Sequence, residues 1–345
     1  MGHAHTQSRL GVLRSLCRAI VPCASLFVVA CGSTADVYVA GYGSQAGLDA
    51  NRVATLWKNG VATRLTDGTW EAYARSVAVS GGDVYATGYE YDGAHYIAKV
   101  WKNGVATSLT DGTQWAMGYS VAISGGDVYV AGHEFNATQS VAKIWKNGVA
   151  TPLTDGAQWA KAYCVTISGS DVYVAGRDGA YAVVWKNGTA IRLTDGTEQA
   201  EAYSVAISGS DVYATGQVES SQYGILWKNG VATPLTDGTR STGTHAMAVS
   251  GSDVYVAGYG ASETTFVAVV WKNGVAAHLT DGTRQAQATS VAVSGSDVYA
   301  AGAEFSGPPN TGATLVAKVW KNGVATALTD GTAQAEAYSV LVSSH

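Results

Sequence analysis

Residues 267–279 read Val267-Ala268-Val269-Val270-Trp271-Lys272-Asn273-Gly274-Val275-Ala276-Ala277-His278-Leu279. Two apolar, β-branched runs flank an Asn-Gly pair. That pair is the strongest short hairpin signal, because a type I′ turn needs positive φ at both central positions. The stretch therefore predicts two strands, c over Val267–Trp271 and d over Val275–Leu279. Working outward, Asp253-Val254-Tyr255-Val256-Ala257 reads as strand b. A Ser-Gly-Ser or Ser-Gly-Gly turn separates b from strand a, of which Tyr203-Ser204-Val205-Ala206-Ile207 is an example. No segment beyond the N-terminal stretch sustains helical periodicity.

This four-strand unit recurs. Trp-Lys-Asn-Gly begins at Trp57, Trp101, Trp145, Trp185, Trp227, Trp271 and Trp320, and Asp-Val-Tyr at Asp36, Asp83, Asp127, Asp171, Asp211, Asp253 and Asp297. Leu-Thr-Asp-Gly follows at Leu65, Leu109, Leu153, Leu193, Leu235, Leu279 and Leu328, and the period is 40 to 49 residues. Four antiparallel strands in a unit of that length define a propeller blade. The predicted fold is all-β, a seven-bladed β-propeller of four-stranded antiparallel blades. The first unit starts at strand b and lacks strand a, whereas Tyr338–Val342 is a spare strand a. In a ring the C-terminal strand completes blade 1 and no sheet edge is orphaned. Architecture, closure and the Tyr-Val-Ala-Gly-Tyr stretch resemble the bacterial seven-bladed β-propeller repeat families. The resemblance runs from Asp36 to Val342, implies the fold, and is nearly silent on function. The Gly-His and Trp-Asp marks of the WD40 class are absent from the sequence.

The chain has 345 residues, 47% hydrophobic and 14% charged, with a formal net charge of −5. Residues 1–30 hold Arg9, Arg14 and Arg18 and no acid. The remainder carries 18 basic residues against 26 acidic ones, or −8. A net-acidic body is a poor partner for phosphate backbones, so nucleic acid is not an expected ligand. The apolar run Ala19–Ala30 is too short to span a bilayer, and residues 1–30 read as a signal peptide. The run ends in Val28-Val29-Ala30-Cys31, which resembles the lipobox of bacterial lipoproteins. That resemblance implies lipidation of Cys31, a tether over residues 31–35 and a propeller domain over 36–345. With Gly32 after Cys31, the family's sorting pattern implies the outer membrane. Cleavage after Ala35 is the competing reading. Cys17 and Cys23 would leave with the signal. Cys164 fills the slot held by Ser76, Ser120, Ser204, Ser290 and Ser339 in sister units, and reads as a small buried side chain.

Loop lengths locate the variable face. From Trp-Lys-Asn-Gly to the next Asp-Val-Tyr the distance is 26 residues six times out of six. From Asp-Val-Tyr to Trp-Lys-Asn-Gly it is 21, 18, 18, 14, 16, 18 and 23. All the variation lies in the b–c loop, which shares one face, the top, with the d–a loops. Variable loops on a rigid ring are where binding residues concentrate. Three of the ten tryptophans, Trp70, Trp115 and Trp159, lie outside Trp-Lys-Asn-Gly, in the d–a loops entering blades 2, 3 and 4. Neighbouring b–c loops add Tyr91, Tyr96, His95, His133, Phe135, Glu90 and Glu134. Exposed aromatics stack on sugar rings or pack on partner side chains. These ten residues are the candidate ligand site, for a carbohydrate or protein ligand. The competing reading is that the tryptophans fill gaps between loops.

Other chemistry is sparse. His95, His133, Glu90 and Glu134 lack a diagnostic metal-ligand spacing, so no metal or cofactor is expected. Glu90, Glu134 and Glu304 share one repeat position, which fits a local loop-packing motif. The Asp of Leu-Thr-Asp-Gly suits turn hydrogen bonds. No nucleophile elbow, phosphate loop or paired-carboxylate signature occurs. The reading is therefore a monomeric, membrane-tethered binding module of the bacterial envelope. A scaffold for envelope complexes and a glycan hydrolase or lyase stand as alternatives. Strand b begins at the bottom, so a Cys31 anchor would leave from that face. Lys58, Lys102, Lys146, Lys186, Lys228, Lys272 and Lys321 ring it, either as contacts for anionic headgroups or as turn-flanking residues.

Overall fold

Each Asn-Gly pair turns as its chemistry requires. Asn59, Asn103, Asn147, Asn187, Asn229, Asn273 and Asn322 have φ between 50° and 52°, and the glycine after each also has positive φ. A computed structural model describes residues 35–44, 51–236, 241–263, 265–308 and 312–343. Cys31 and the whole N-terminal segment 1–34 lie outside them. Within the described residues there are twenty-eight strands, in seven four-stranded antiparallel sheets, and no helix. Blade 2 shows the pattern: strand a is Ala72–Ser80, b is Asp83–Tyr91, c is Tyr96–Lys102 and d is Val105–Ser108. Blade 1 takes its strand a from the C-terminus: Ala335–Ser343 pairs with Asp36–Ser44 from Asp36↔Ser343 to Gly43↔Ala335. The ring is closed by this pairing. Each strand a touches the strands a of both neighbours, and d is the exposed outer strand.

Blades adhere through seven apolar clusters, one per interface. The repeat tryptophan wedges each one. Trp101 packs with Ala40, Ala54 and Tyr38 of blade 1, and Trp57 with Ala301, Ala317 and Tyr299 of blade 7. All seven of these indoles are at most 1% exposed. Alanine lies opposite because only a small residue leaves room for an indole at interior packing density.

A second repeated device ties strand b to the c–d turn. Asn59 Nδ2 donates to Asp36 Oδ1 at 2.7 Å, and Val37 N donates to Asn59 Oδ1 at 2.8 Å. Lys58 Nζ lies 2.7 Å from Asp36 Oδ2 and 5.2 Å from the Tyr38 ring centroid. The same ion pair recurs at Asp83–Lys102, Asp127–Lys146, Asp171–Lys186, Asp211–Lys228, Asp253–Lys272 and Asp297–Lys321. The bottom lysines are thus ion-paired within their own blades rather than standing as free cations.

Strand a carries a bulge in every blade. The register shifts at Ala74/Ser76 in blade 2 and at the matching step in the other six. One residue per blade is thereby left unpaired: Arg75, Tyr119, Tyr163, Tyr203, His245, Thr289 and Tyr338. The bulge presses a strand-a carbonyl against strand b. A Cβ on Gly132 would sit 2.0 Å from the Met117 carbonyl oxygen, and one on Gly88 would sit 1.8 Å from that of Tyr73. This is the physical reason for the glycine of each Val-Ala-Gly or Ala-Thr-Gly run.

Two outcomes follow. Gly132→Ala should destabilise the propeller by roughly 3 kcal/mol, since backbone must shift to clear the carbonyl. Removal of residues 335–345 should strip blade 1 of its inner strand and sharply lower the thermal midpoint. A melting curve unchanged by the truncation would be incompatible with closure by this strand.

Candidate functional site

The top-face loops pack against one another by fixed backbone bonds. Tyr91 N donates to Glu71 O at 2.8 Å, and Phe135 N to Trp115 O at 2.9 Å, so each d–a loop lies beside the end of strand b in the blade it enters. Trp70, Trp115 and Trp159 are 43%, 40% and 45% exposed. In blades 2 and 3 five of the candidates form one continuous surface. Tyr91 touches Trp70 at 5.7 Å, Tyr96 at 5.4 Å and Trp115 at 6.3 Å between ring centroids, and His95 lies 6.3 Å from Trp115. Trp115 also packs edge-on against Tyr96 at 5.1 Å. A second group pairs Trp159 with Phe135 at 5.2 Å.

The remaining candidates are placed differently. His133 is buried, 2% exposed, stacked on Tyr119 at 5.5 Å. Its Nδ1 has no hydrogen-bond partner among the described residues. Glu90 is ion-paired with Lys99 and Glu134 with Lys143, as Glu304 is with Lys318. These three lysines come from strand c of the same blade, so the shared glutamate is the loop-packing motif its repetition suggests. The described Leu-Thr-Asp-Gly aspartates accept from the backbone N–H two residues on, Asp67 from Thr69 at 2.8 Å for example. Cys164 fills the repeat's serine slot as a free thiol, 3.8 Å from Ser204 Oγ, and burial raises its pKa. Among the described residues, no group of three or more His, Cys, Asp and Glu could hold a metal ion.

Sequence reasoning passed over Glu71. It accepts from the Tyr73 hydroxyl at 2.6 Å and the Tyr96 hydroxyl at 2.5 Å, and it pairs with Arg52. Burial raises its pKa, yet these bonds outweigh burial and hold the carboxyl below its usual range. Glu71 therefore fixes the Tyr96 ring against which Trp115 packs. It also links the rim aromatics to Tyr73, which touches Tyr42 at 5.5 Å and Tyr89 at 5.0 Å.

The central channel was missed as well. A cavity of about 530 Å³ lies on the axis, lined by strand-a residues that include Arg75, Tyr119, Tyr163, Tyr203, His245 and Tyr338. All six are bulge residues. A signal for them existed in the repeat columns. Small residues flank the bulge position, yet the column itself reads Arg, Tyr, Tyr, Tyr, His, Thr, Tyr. Two residues earlier the column reads Tyr73, Met117, Lys161, Glu201, Gly243, Gln287, Glu336.

No protein-family model matches the sequence, and no curated protein sequence does so. Solved structures share the architecture. A puromycin-hydrolysing peptidase of Mycobacterium tuberculosis is 13% identical with a TM-score of 0.57, over 85% of this chain and 51% of that one. An acylaminoacyl peptidase of Pyrococcus horikoshii is 13% identical with a TM-score of 0.53, over 86% and 53%. The β-propeller domain of the trilobed protease from Pyrococcus furiosus is 11% identical with a TM-score of 0.53, over 85% and 92%. The chain spans about half the length of the first two. At such identities the likeness shows a β-propeller and nothing of its use. The Pyrococcus furiosus propeller is described as having an open velcro topology, whereas strand pairing closes the ring here.

The buried histidines give a pH signature. Burial, then the charge of Lys161, lowers His133 to about 3, and burial, then Arg75, lowers His245 to about 4. Unfolded histidine titrates near 6.5. Between those values the unfolded chain binds more protons than the folded one, so stability rises with pH there and is lost on acidification. Urea unfolding from pH 7 to pH 4 should show this loss. It should be shallower in His133→Phe, which retains a ring against Tyr119. Parallel pH profiles for the two proteins would contradict a neutral buried imidazole.

Proposed function

We propose that this chain is a non-catalytic binding module, tethered at the bacterial cell envelope, which holds a glycan or protein ligand on its top-face loops. One observation carries the reading: Trp70, Tyr91, Tyr96, His95 and Trp115 form a continuous, partly exposed aromatic surface on the face where loop length varies. Large aromatic rings held rigid by their neighbours lose little entropy on binding, which suits them as ligand platforms. Trp159 with Phe135 extends the surface toward blade 4. His133 lies against Phe135, 5.8 Å between ring centroids, while Glu90 and Glu134 are engaged by Lys99 and Lys143. Peptidase activity forms no part of the proposal, since the likeness to peptidases carries fold alone.

The tether is proposed from Val28-Val29-Ala30-Cys31, with the outer membrane as destination. Strand b of blade 1 starts at Asp36 on the bottom face, five residues after Cys31. Five residues reach at most roughly 17 Å. A tether this short leaves the aromatic surface pointing away from the bilayer.

The module should titrate on a glycan array or with a purified partner, with quenching of tryptophan fluorescence. Trp115→Ala should weaken that binding about tenfold or more, the scale of a central aromatic anchor. Equal affinity in the Trp70→Ala, Trp115→Ala and Trp159→Ala proteins would remove the top face as the binding surface. Cys31→Ser should release the protein from membranes. On membranes, cysteine probes at Gly93 or Ala137 should react freely and probes at Asn103 or Asn147 should be shielded. The reverse labelling pattern would overturn the orientation.

A further inference from the structure

The channel wall carries a cation, Arg75, that no carboxylate pairs among the described residues. Most interior or half-buried basic side chains in the described residues sit in ion pairs, Lys99, Lys143, Arg177 and Lys318 among them. Arg75 and Lys161 do not: among the described residues neither makes an ion pair or a hydrogen bond. Both project from strand a, Arg75 at the bulge of blade 2 and Lys161 two residues before the bulge of blade 4. The Arg75 guanidinium lies 3.9 Å from the Tyr338 ring centroid and 5.9 Å from that of Tyr119. A guanidinium held over aromatic rings forms no hydrogen bond with them, so its N–H donors remain unspent.

The surrounding charges do not cancel these cations. Glu201 is taken by Arg177 at 3.0 Å. Glu336 is buried and accepts from Gln287 Nε2 at 2.6 Å, and burial raises its pKa. Of the side chains that line the cavity, Arg75 is the one Arg or Lys and Glu336 the one Asp or Glu, and Glu336 is engaged by Gln287. Tyr119, Tyr163 and Tyr203 continue around the wall with centroids 5.6 Å and 5.5 Å apart. The cavity they enclose, about 530 Å³, falls in the range of small-ligand sites.

The geometry points to a second binding site in the upper channel, for a small sugar acid, whose carboxylate is gripped by Arg75 and whose ring stacks on the tyrosine wall. A guanidinium fork matches a carboxylate bidentately, and the match adds direction as well as charge. Tyrosine faces offer stacking for the C–H face of a sugar, with hydroxyls at their tips. The site is separate from the top-face aromatics and does not depend on their role.

Isothermal titration of the full-length chain with glucuronate, glucose, acetate and inorganic phosphate separates the contributions. Glucuronate should bind, with glucose and acetate at least tenfold weaker. Arg75→Gln should lose glucuronate binding at least tenfold, Arg75→Lys should fall between it and the parent, and Val324→Thr, on an exposed outer strand, should bind as the parent does. Tyr203→Phe, which keeps the ring, should retain measurable binding. Melting curves identify any variant that fails to fold. If Arg75→Gln does, Arg75→Lys carries the test. Equal affinity for glucose and glucuronate would overturn the anion anchor, and equal affinity for acetate, phosphate and glucuronate would overturn the sugar class. Binding undiminished in both Arg75 variants, or no glucuronate binding to the parent, would overturn the site.

Discussion

The close approach of strand a to strand b at the bulge governs the rest of the molecule. With a glycine in strand b, a carbonyl from strand a can sit where a Cβ would otherwise be, at 1.8 to 2.1 Å from that position in all seven blades. An extra residue can then be inserted into strand a without breaking the ladder beyond it. The inserted residue is left unpaired and contributes to the channel wall. One backbone tolerance, repeated around the ring, thus creates seven wall positions, of which Thr289 alone is seen to bond strand carbonyls through its side chain, those of Ala301 and Ala337 at 3.1 and 2.6 Å. Immediately after four of the bulges a serine links neighbouring inner strands: Ser76 Oγ accepts from Val121 N at 3.2 Å and Ser120 Oγ from Val165 N at 3.1 Å, and Ser204 and Ser290 do the same. Those bonds join inner strands that share no ladder, so the bulge and the ring around it are built together.

Stability is assigned to other columns. The indole wedges supply the apolar area between blades, and burying a tryptophan against alanine is worth several kcal/mol on truncation. Six of the seven repeat indoles have a buried Nε1 with no acceptor among the described residues. The fold tolerates this because shape filling, not hydrogen bonding, is what the wedge requires. The Asp–Lys–Asn clamp works at the opposite end of the strands. Its ion pairs are about half exposed on the lysine side, so each adds little by itself. Their value lies in tying the c–d turn, which leads into the exposed outer strand, to the start of strand b.

Fold and closure were legible because the determinants are local and repeated. Asn-Gly fixes a turn, the spare Tyr338–Val342 segment fixes the seam, and seven copies suppress the noise in any one reading. The rim was partly legible. Trp70, Trp115 and Trp159 broke a repeated pattern and lay in loops, and the structure finds them partly exposed. His133 and Glu134 were less so, because strand alternation at the end of a twisted blade decides which side chain turns inward. His133 turns onto Tyr119, and Glu134 turns onto Lys143. Glu71 could not be found from its own column, since its partners Arg52 and Tyr96 open strand c of two different blades and are assembled only by the ring. The channel residues stood in plain view as a variable column inside a constant strand. Their inward aim depended on the bulge, which leaves no mark on strand propensity.

A symmetric ring separates what the fold needs from what it permits. Columns that repeat in all seven units, the tryptophan, the glycine of strand b and the clamp aspartate, each have a mechanical role visible in the packing or hydrogen bonds. Columns that differ from blade to blade do no common mechanical work, since a role shared by seven equivalent places would demand one residue. Those columns collect in two places, the b–c and d–a loops of the top face and the two inward positions at the upper end of strand a. The two places are physically continuous: Tyr42, Tyr73 and Tyr89 run from Tyr338 beside Arg75 out to Tyr96 beneath Trp115. A rim and a channel joined by packed aromatic rings share one rigid support. A change in shape at one would meet little slack before reaching the other, because close-packed rings resist compression.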